Sequence, residues 1–339
     1  MSLLAGIFVT ALLTGSVIPI LDAPSSVDVP ELKATIREWD VPTKGAKPYA
    51  IAVGPDGLIW FTEEGANKIG HLNPKTGDFK EYPVNEEKNV GLHGLVADQS
   101  GNIWFTASSG GYIGKLEPST GKITVFNMPD PKATDPESVA FDKNGILWFT
   151  AQNANLVGRL DPASGAVTVK PVSSQNAKPT GILVLQQGNP IFAEPGANRI
   201  GSVMPNTFAV HDFSLPPGTR SRRIAVAQDD NTLYFTDVTS GNLGKLDISI
   251  GAMLMFPTPS GSDSAPYGLT IAGDGTVWYC ETGVQPNNVI RFAPRSYSFS
   301  RAAIPFATGV VRSMAAAPDG RIYFVSSEVD KIGAVEVSK

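Results

Sequence analysis

The apolar positions of this chain fall in short alternating runs that recur at a fixed period. The first complete copy extends from Pro48 to Gly77, and an aromatic pair marks its second apolar run. The second member of this pair falls at spacings of 43 to 45 residues, at Phe61, Phe105, Phe149, Phe192, Phe235, Tyr279 and Phe324. A regular period of this length predicts seven copies of one structural unit.

Two kinds of turn divide each copy into four short β segments. The first turn ends in glycine, which tolerates the positive φ that tight hairpins require. It occurs as Asp56-Gly57, Ser100-Gly101, Asn144-Gly145, Asp274-Gly275 and Asp319-Gly320. The second turn is longer, as in Asn73-Pro-Lys-Thr-Gly77. Four antiparallel strands in a unit of this length are typical of a propeller blade, so the sequence predicts an all-β, seven-bladed β-propeller with four-stranded blades.

The two ends of the repeat predict how the ring closes. The seventh copy stops after its third strand, at Val335-Glu-Val-Ser-Lys339, and an unpaired strand pattern precedes the first copy at Ile36-Arg-Glu-Trp-Asp-Val-Pro42. We expect residues 36–42 to complete blade seven beside residues 331–337. This pairing covers an edge that is otherwise exposed.

The first 23 residues differ in composition from the repeat. The segment from Leu3 to Leu21 is almost wholly apolar, and no Lys or Arg precedes it. We expect a signal peptide at residues 1–23, a linker at 24–35, the propeller at 36–339, and a secreted or exported product. An uncleaved membrane anchor is the alternative, because 19 apolar residues approach the length of a membrane span.

Composition excludes several classes of partner. Charged residues make up 17% of the chain, the net charge is −5, and Lys and Arg are scattered, so we expect neither nucleic acid nor stable membrane association after signal removal. We expect a monomer. The chain contains no Cys-x-x-Cys, His-Glu-x-x-His or Gly-x-Ser-x-Gly motif. The single cysteine, Cys280, lies in an apolar strand and is expected to be a buried, inert thiol.

The residues most open to a functional role lie where the first strand of each blade begins. In a propeller the first strands line the central channel, so their starts and the ends of the second strands meet at one mouth, here called the rim. The rim positions of the first strands are Tyr49, His93, Glu137, Thr180, Arg222, Tyr267 and Arg312, with Arg223 as the alternative to Arg222 because blade five carries an insertion. The acids at the ends of the second strands are Glu63, Glu194, Asp237 and Glu281.

This variety at equivalent positions suggests a binding and proton-transfer surface. We expect catalytic roles for His93 as a general base, Glu137 as its partner, and Tyr49, Tyr267, Arg222 and Arg312 as proton carriers or oxygen stabilisers. Substrate contacts are expected from Thr180, Glu63, Glu194, Asp237 and Glu281, and the acids are also candidates for a divalent cation. The alternatives are neutral variation in a polar channel, Arg–acid pairing, and capping of backbone amides. His71 and His211 lie on outer strands and are expected to face solvent.

The first copy contains the motifs Pro48-Tyr-Ala-Ile-Ala-Val53, Ala66-Asn-Lys-Ile-Gly70 and Lys80-Glu-Tyr-Pro83. On these motifs, the chain resembles the streptogramin B lyase (virginiamycin B lyase) family over residues 36–339. The resemblance implies a seven-bladed ring and a magnesium-assisted elimination that linearises a cyclic depsipeptide at its ester. It also implies histidines at the rim of the last two blades and acids in the final blade. This chain has instead Tyr267, Arg312 and Val310, and only Glu328 can be carried over. We therefore expect the architecture to transfer and the antibiotic-cleaving activity not to.

These observations leave several functions open. The first is a lyase-like enzyme that acts on a small, largely uncharged natural product at the channel mouth by acid/base elimination or ring chemistry, with Mg²⁺ as an optional cofactor. A metal-free cyclase or pericyclase of secondary metabolism is the second, and a non-catalytic binding or scaffold propeller is the third. A calcium-dependent lactonase-type propeller is disfavoured, because too few acids occupy the rim positions of the first strands.

Overall fold

The computed structural model describes residues 29–84, 88–130, 134–305 and 309–338. Within these residues, 28 strands form seven four-stranded antiparallel sheets. The predicted all-β, seven-bladed propeller is therefore confirmed. The apolar segment predicted to direct export lies outside the described residues, so that assignment stays a prediction. No helix in the described ranges is long and apolar enough to cross a membrane.

The strands follow the order of the sequence repeat. The first strand is β1 (Ala34–Asp40). Blade one contains β2 (Pro48–Val53), β3 (Ile59–Glu63), β4 (Lys68–Leu72) and β5 (Phe79–Pro83). Blade two contains β6 (Leu92–Ala97), β7 (Ile103–Ala107), β8 (Tyr112–Glu117) and β9 (Lys122–Asn127). Blade three contains β10 (Pro136–Phe141), β11 (Leu147–Ala151), β12 (Leu156–Leu160) and β13 (Val167–Pro171).

The remaining blades continue the same order. Blade four contains β14 (Thr180–Val184), β15 (Pro190–Glu194), β16 (Arg199–Val203) and β17 (Val210–Ser214). Blade five contains β18 (Ser221–Val226), β19 (Thr232–Asp237), β20 (Asn242–Asp247) and β21 (Met253–Pro257). Blade six contains β22 (Pro266–Ile271), β23 (Val277–Glu281), β24 (Asn288–Ala293) and β25 (Ser298–Ala303), and blade seven adds β26 (Met314–Ala316), β27 (Ile322–Ser326) and β28 (Lys331–Val337). Two short 3₁₀ helices cover Gly261–Ser264 and Ser327–Val329.

Strand β1 closes the ring as predicted. It pairs antiparallel with β28, with Ile36 opposite Val335, so blade seven has the order β1-β28-β27-β26. The strand covers 34–40 rather than 36–42, and part of the predicted linker is structured as well. Leu32 N donates to the Arg301 carbonyl at 2.7 Å, and Arg301 N donates to the Pro30 carbonyl at 3.1 Å. The segment before β1 therefore also pairs with blade six.

An aromatic ring on a glycine forms the centre of most blades. The Phe of the second strand lies opposite a Gly of the third strand, and a Cβ added at Gly114 would stand 2.1 Å from Cζ of Phe105. The same pairing joins Phe61 to Gly70, Phe149 to Gly158, Phe192 to Gly201, Phe235 to Gly244, and Phe324 to Gly333. In blade six the pair is Tyr279 and Ile290. These rings are fully buried between neighbouring blades.

A β-bulge at the start of the first strands shapes the rim. In β2, Pro48 pairs with Glu63 and Ile51 pairs with Phe61, so Tyr49 and Ala50 both face Thr62. Such a bulge bends the strand and re-aims its side chains. Ala50 N donates to Thr62 Oγ1 at 3.0 Å, which supplies the hydrogen bond that the bulge removes from the ladder.

The aromatic–glycine contact predicts a specific packing defect. Gly114→Ala places a methyl group against the buried Phe105 ring and is expected to destabilise the protein by about 1–3 kcal/mol through overpacking. Gly273→Ala is the matched control, since an added Cβ there meets nothing within 4 Å. Thermal unfolding of both variants tests this expectation, and equal melting temperatures would contradict it.

The closure predicts that a truncated ring can be repaired by its missing strand. Deletion of residues 1–40 removes β1, exposes the edge of β28 and is expected to lower the melting temperature. A synthetic peptide of residues 29–44, added to the truncated chain, is expected to restore much of the loss by strand addition. A truncated chain that melts like the full chain, or that ignores the peptide, would show that β1 does not stabilise blade seven.

Candidate functional site

Three rim side chains from three successive blades are in direct contact. Tyr49 from β2 donates its hydroxyl to Glu137 Oε1 at 2.9 Å, and His93 Nδ1 from β6 lies 2.5 Å from Glu137 Oε2. The rings of Tyr49 and His93 stack, with centroids 4.3 Å apart and an interplanar angle of 11°. The structure thus brings together Tyr49, His93 and Glu137, as the rim prediction requires.

A second carboxylate, which the sequence analysis did not select, faces the other nitrogen of His93. Glu64 follows β3 directly, and its Oε1 lies 3.5 Å from His93 Nε2. Burial lowers the pKa of His93, but hydrogen bonds to Glu137 and Glu64 outweigh it and raise the pKa to about 9. His93 is therefore protonated at neutral pH, which favours a proton donor over the general base predicted from residue type.

The partners of His93 are shifted in the directions that an ion pair requires. Burial, the largest influence, raises the pKa of Glu137, but the hydrogen bond and charge of His93 bring it below its usual value. The hydrogen bond from His93 is the main cause of the lowered pKa of Glu64. Burial and the nearby Glu137 charge hold the pKa of Tyr49 well above its usual value. The phenol is thus neutral and the two carboxylates are ionised.

Threonine hydroxyls from the second strands fix the backbone of this site. Thr62 Oγ1 donates to the His93 carbonyl at 2.9 Å, and Thr106 Oγ1 donates to the Glu137 carbonyl at 3.1 Å. Each also accepts a bulge N–H of its own blade, as in the 2.7 Å bond from Gly94 N to Thr106 Oγ1. Each Thr therefore ties its blade to the rim residue of the next blade. The sequence signal was present, since Thr follows the aromatic pair in blades one and two.

Two arginines, from blades five and seven, continue the rim. The Cζ atom of Arg312 lies 5.3 Å from the Tyr49 ring centroid, and that of Arg223 lies 5.7 Å from the Tyr267 ring centroid. Arg223 Nε donates to the Arg312 carbonyl at 2.8 Å. Arg312 Nε is buried and has no hydrogen-bond partner among the described residues. Tyr267 itself is held by the bond that Thr236 donates to its carbonyl.

The other rim residues are placed differently from the central cluster. In β18, Ser221 pairs with Asp237 and Ile224 with Phe235, so Arg222 and Arg223 share the bulge. Arg223, the alternative to Arg222, makes the contacts with Arg312 and Tyr267. Thr180 is buried at the start of β14, and within the described ranges no hydrogen bond joins its side chain to the His93 cluster.

The four predicted acids of the second strands lie apart from this cluster. A Cβ added at Gly70 would stand 2.8 Å from Glu63 Oε1, and one at Gly201 would stand 3.3 Å from Glu194 Oε1, so both carboxyls lie over the third strand of their own blade. Burial and then Glu81 raise the pKa of Glu63 to about 8. Burial and then Asp212 raise the pKa of Glu194 to about 7.

The other two acids accept hydrogen bonds from loop backbone groups and, for Glu281, also from Asn288 at the start of β24. Glu281 Oε1 accepts Ser260 N at 2.9 Å, and its Oε2 accepts Asn288 Nδ2 at 3.0 Å. Asp237 Oδ1 accepts the backbone N–H groups of Arg220 and Thr239, both at 3.1 Å. Both acids thus accept backbone N–H groups, as the amide-capping alternative predicts. The substrate contacts expected of all four acids stay predictions.

The donor atoms at the last blade do not fit a magnesium ion. Val310 has no side-chain oxygen, and Glu328 Oε2 already accepts Val310 N at 3.0 Å. In the described part of the chain, no three His, Cys, Asp or Glu side chains converge in a way that could hold a metal. Magnesium prefers several oxygen ligands, including carboxylates. The residues that the resemblance points to in the last blade therefore do not form a magnesium site.

Beneath the rim the channel becomes apolar. A cavity of ≈ 160 Å³ is lined by Tyr49, Glu137 and Arg223 at its polar end. Its wall continues through apolar first-strand residues, namely Ile51, Leu95, Val139, Ile182, Leu183 and Ile224. Ser138 and Ser313 also line this wall, so a guest at the rim meets charged groups above a mostly apolar floor.

Comparison with known proteins identifies one family. A model described as the virginiamycin B lyase family matches residues 25–249. Virginiamycin B lyase from Nocardia farcinica is 25% identical over 157 residues, 46% of this chain and 51% of that protein. Virginiamycin B lyase from Streptomyces coelicolor is 36% identical over 52 residues, 15% of this chain and 17% of that protein. The chain thus spans about half the length of the Nocardia protein and less than a fifth of the Streptomyces protein.

Solved structures agree in fold. A streptogramin B lyase structure is 24% identical with a TM-score of 0.81, covering 90% of this chain and 98% of that one. A catalytically inactive virginiamycin B lyase from Staphylococcus aureus with quinupristin is 23% identical with a TM-score of 0.82, covering 90% of this chain and 100% of that one. At this identity the likeness establishes the fold alone.

The raised pKa of His93 predicts a pH-dependent contribution to stability. Its folded pKa of about 9 exceeds the unfolded value of 6.5, so the stabilisation is fully present below about pH 6.5, while Glu137 is ionised, and is lost as pH rises through 9. The unfolding free energies of wild type and His93→Asn are expected to differ most below pH 6.5 and to converge above pH 9.

Nuclear magnetic resonance titration of the His93 imidazole provides the direct measurement. Glu137→Gln is expected to move its midpoint down, because the main hydrogen bond that favours the imidazolium is weakened. A midpoint at the ordinary value of 6.5 in the wild type would refute the ion pair.

Proposed function

Because this chain belongs to the virginiamycin B lyase family, we propose that it is a lyase that opens an ester-linked small molecule at the rim by acid/base elimination. The observation that carries the proposal is the position of His93 between Glu64 and Glu137, under the Tyr49 ring. This arrangement places a proton acceptor and a proton donor side by side at a channel mouth. Acid/base elimination needs both.

Glu64 is the acceptor that the geometry supports best. It is ionised, and 37% of its side chain is exposed, against 4% for Glu137. Glu137 is occupied on both oxygens by Tyr49 and His93, so its role is to hold these groups in place. Glu64 thus reaches a bound molecule more readily than Glu137.

The elimination is balanced without water. Glu64 removes a proton from a carbon activated by a neighbouring carbonyl, and that C–H electron pair forms a carbon–carbon double bond. The bond from the adjacent carbon to the ester oxygen breaks, and a carboxylate leaves with the electron pair. The imidazolium of His93 donates a hydrogen bond to the oxygen of the activating carbonyl, on which negative charge develops as the proton is removed. The proton on Glu64 then passes to solvent.

Binding without turnover is the second candidate. The observation that favours it is the lowered pKa of Glu64, because a carboxylate that accepts a hydrogen bond from His93 is a weaker base. The apolar cavity beneath the rim can hold part of a guest in either case.

Mass spectrometry separates these outcomes. Virginiamycin B is incubated with the protein; elimination yields a linear isomer of unchanged mass, whereas hydrolysis adds the mass of water. Glu64→Gln is expected to lower kcat by about 100-fold or more, as for loss of a general base.

Glu63→Gln is the matched control. Glu63 is the adjacent acid, but its buried carboxyl lies over Gly70 within blade one, so this variant is expected to keep its activity. Loss of activity would instead support the substrate contact predicted for Glu63 from the sequence. Saturable binding of virginiamycin B with no isomer formed would support the binding candidate. An unaffected Glu64→Gln variant would remove Glu64 from the mechanism.

A further inference from the structure

The two arginines of the rim are half-buried at the mouth of the channel. Among the described residues, no ion pair joins Arg223 or Arg312 to a carboxylate. Arg312 Nε is buried without a hydrogen bond, although buried polar groups are almost always paired. The guanidinium of Arg312 therefore keeps an unused donor at the mouth of the channel.

The nearby acids are already engaged by other groups. Glu137 binds Tyr49 and His93, and Glu64 faces His93 Nε2. Glu328 is exposed and accepts the Val310 N–H. These carboxylates influence the arginines at longer range but form no hydrogen bond with them in the described part of the chain. The positive charge of the arginine pair is thus left for a ligand.

The two guanidinium groups are also held in place. Arg312 lies over the Tyr49 ring and Arg223 lies over the Tyr267 ring. The bond from Arg223 Nε to the Arg312 carbonyl links the two residues. A planar guanidinium fixed in this way presents a fork of N–H donors that matches a carboxylate. The geometry is that of a prepared anion site.

We propose that Arg223 and Arg312 form a carboxylate subsite at the rim. The inference rests on the proposed function for the idea that a small ester enters this mouth. In that reaction the departing group is a carboxylate, and the subsite receives it as the carbon–oxygen bond breaks. A subsite for an anion differs from the expectation drawn from the sequence, which was a largely uncharged substrate.

Isothermal titration with benzoate and benzamide tests the subsite without any turnover. The two probes have nearly the same shape, but only benzoate is charged. Benzoate is expected to bind at least 10-fold more tightly than benzamide, and its affinity is expected to fall as salt is raised. Arg312→Met and, separately, Arg223→Met are expected to remove the preference.

Arg220→Met is the matched control, because it removes the same charge just before β18 from an exposed side chain. It is expected to keep the preference for benzoate. Equal binding of benzoate and benzamide to the wild type, or a preference that survives both Arg312→Met and Arg223→Met, would overturn the subsite. A benzoate preference in a protein that leaves virginiamycin B intact would support the subsite and count against the proposed reaction.

Discussion

The constraint on which the ring depends is the fit of one aromatic ring onto one glycine in nearly every blade. Phe105 fills the space that a side chain at Gly114 would take, and five other blades repeat this contact. Because the ring is fully buried between blades, each blade packs on the next through the same element. Protein interiors are packed to crystal-like density, so such a contact tolerates little change. The residues at the strand ends of the rim take no part in this contact, so their side chains can vary.

At the rim the side chains can vary while the backbone is held in place. Thr62 and Thr106 bind the carbonyl groups of His93 and Glu137, whichever side chains those positions carry. The scaffold thus holds each rim residue through its main chain and leaves its side chain to chemistry. This division explains how Tyr49, His93 and Glu137 come from three separate blades and still meet within hydrogen-bond distance.

The fold and part of the site followed from the sequence because both depend on period. The repeat gave the blades and the closing strand, and equivalent positions gave Tyr49, His93 and Glu137. The direction of the second-strand acids could also have been predicted from strand alternation. Glu63 lies two residues after Phe61, so both side chains share one face, and both lie over Gly70. That alternation was readable in the sequence.

Other features depend on contacts that the sequence repeat does not specify. The choice between Arg222 and Arg223 is made by a bulge, in which two residues oppose one. Glu64 lies just beyond the end of β3, where strand alternation no longer determines direction. The protonation of His93 depends on two carboxylates from different blades, which only the folded ring brings together.

The pairing of β1 with β28 also has a consequence for synthesis on the ribosome. Ala34 pairs with Val337, so β1 is matched with a strand that is made about 300 residues later. At roughly 5–20 residues per second, β1 waits on the order of 15–60 s for its neighbour. Blades one to six can assemble during this interval. The circle itself can close only after translation has delivered β28.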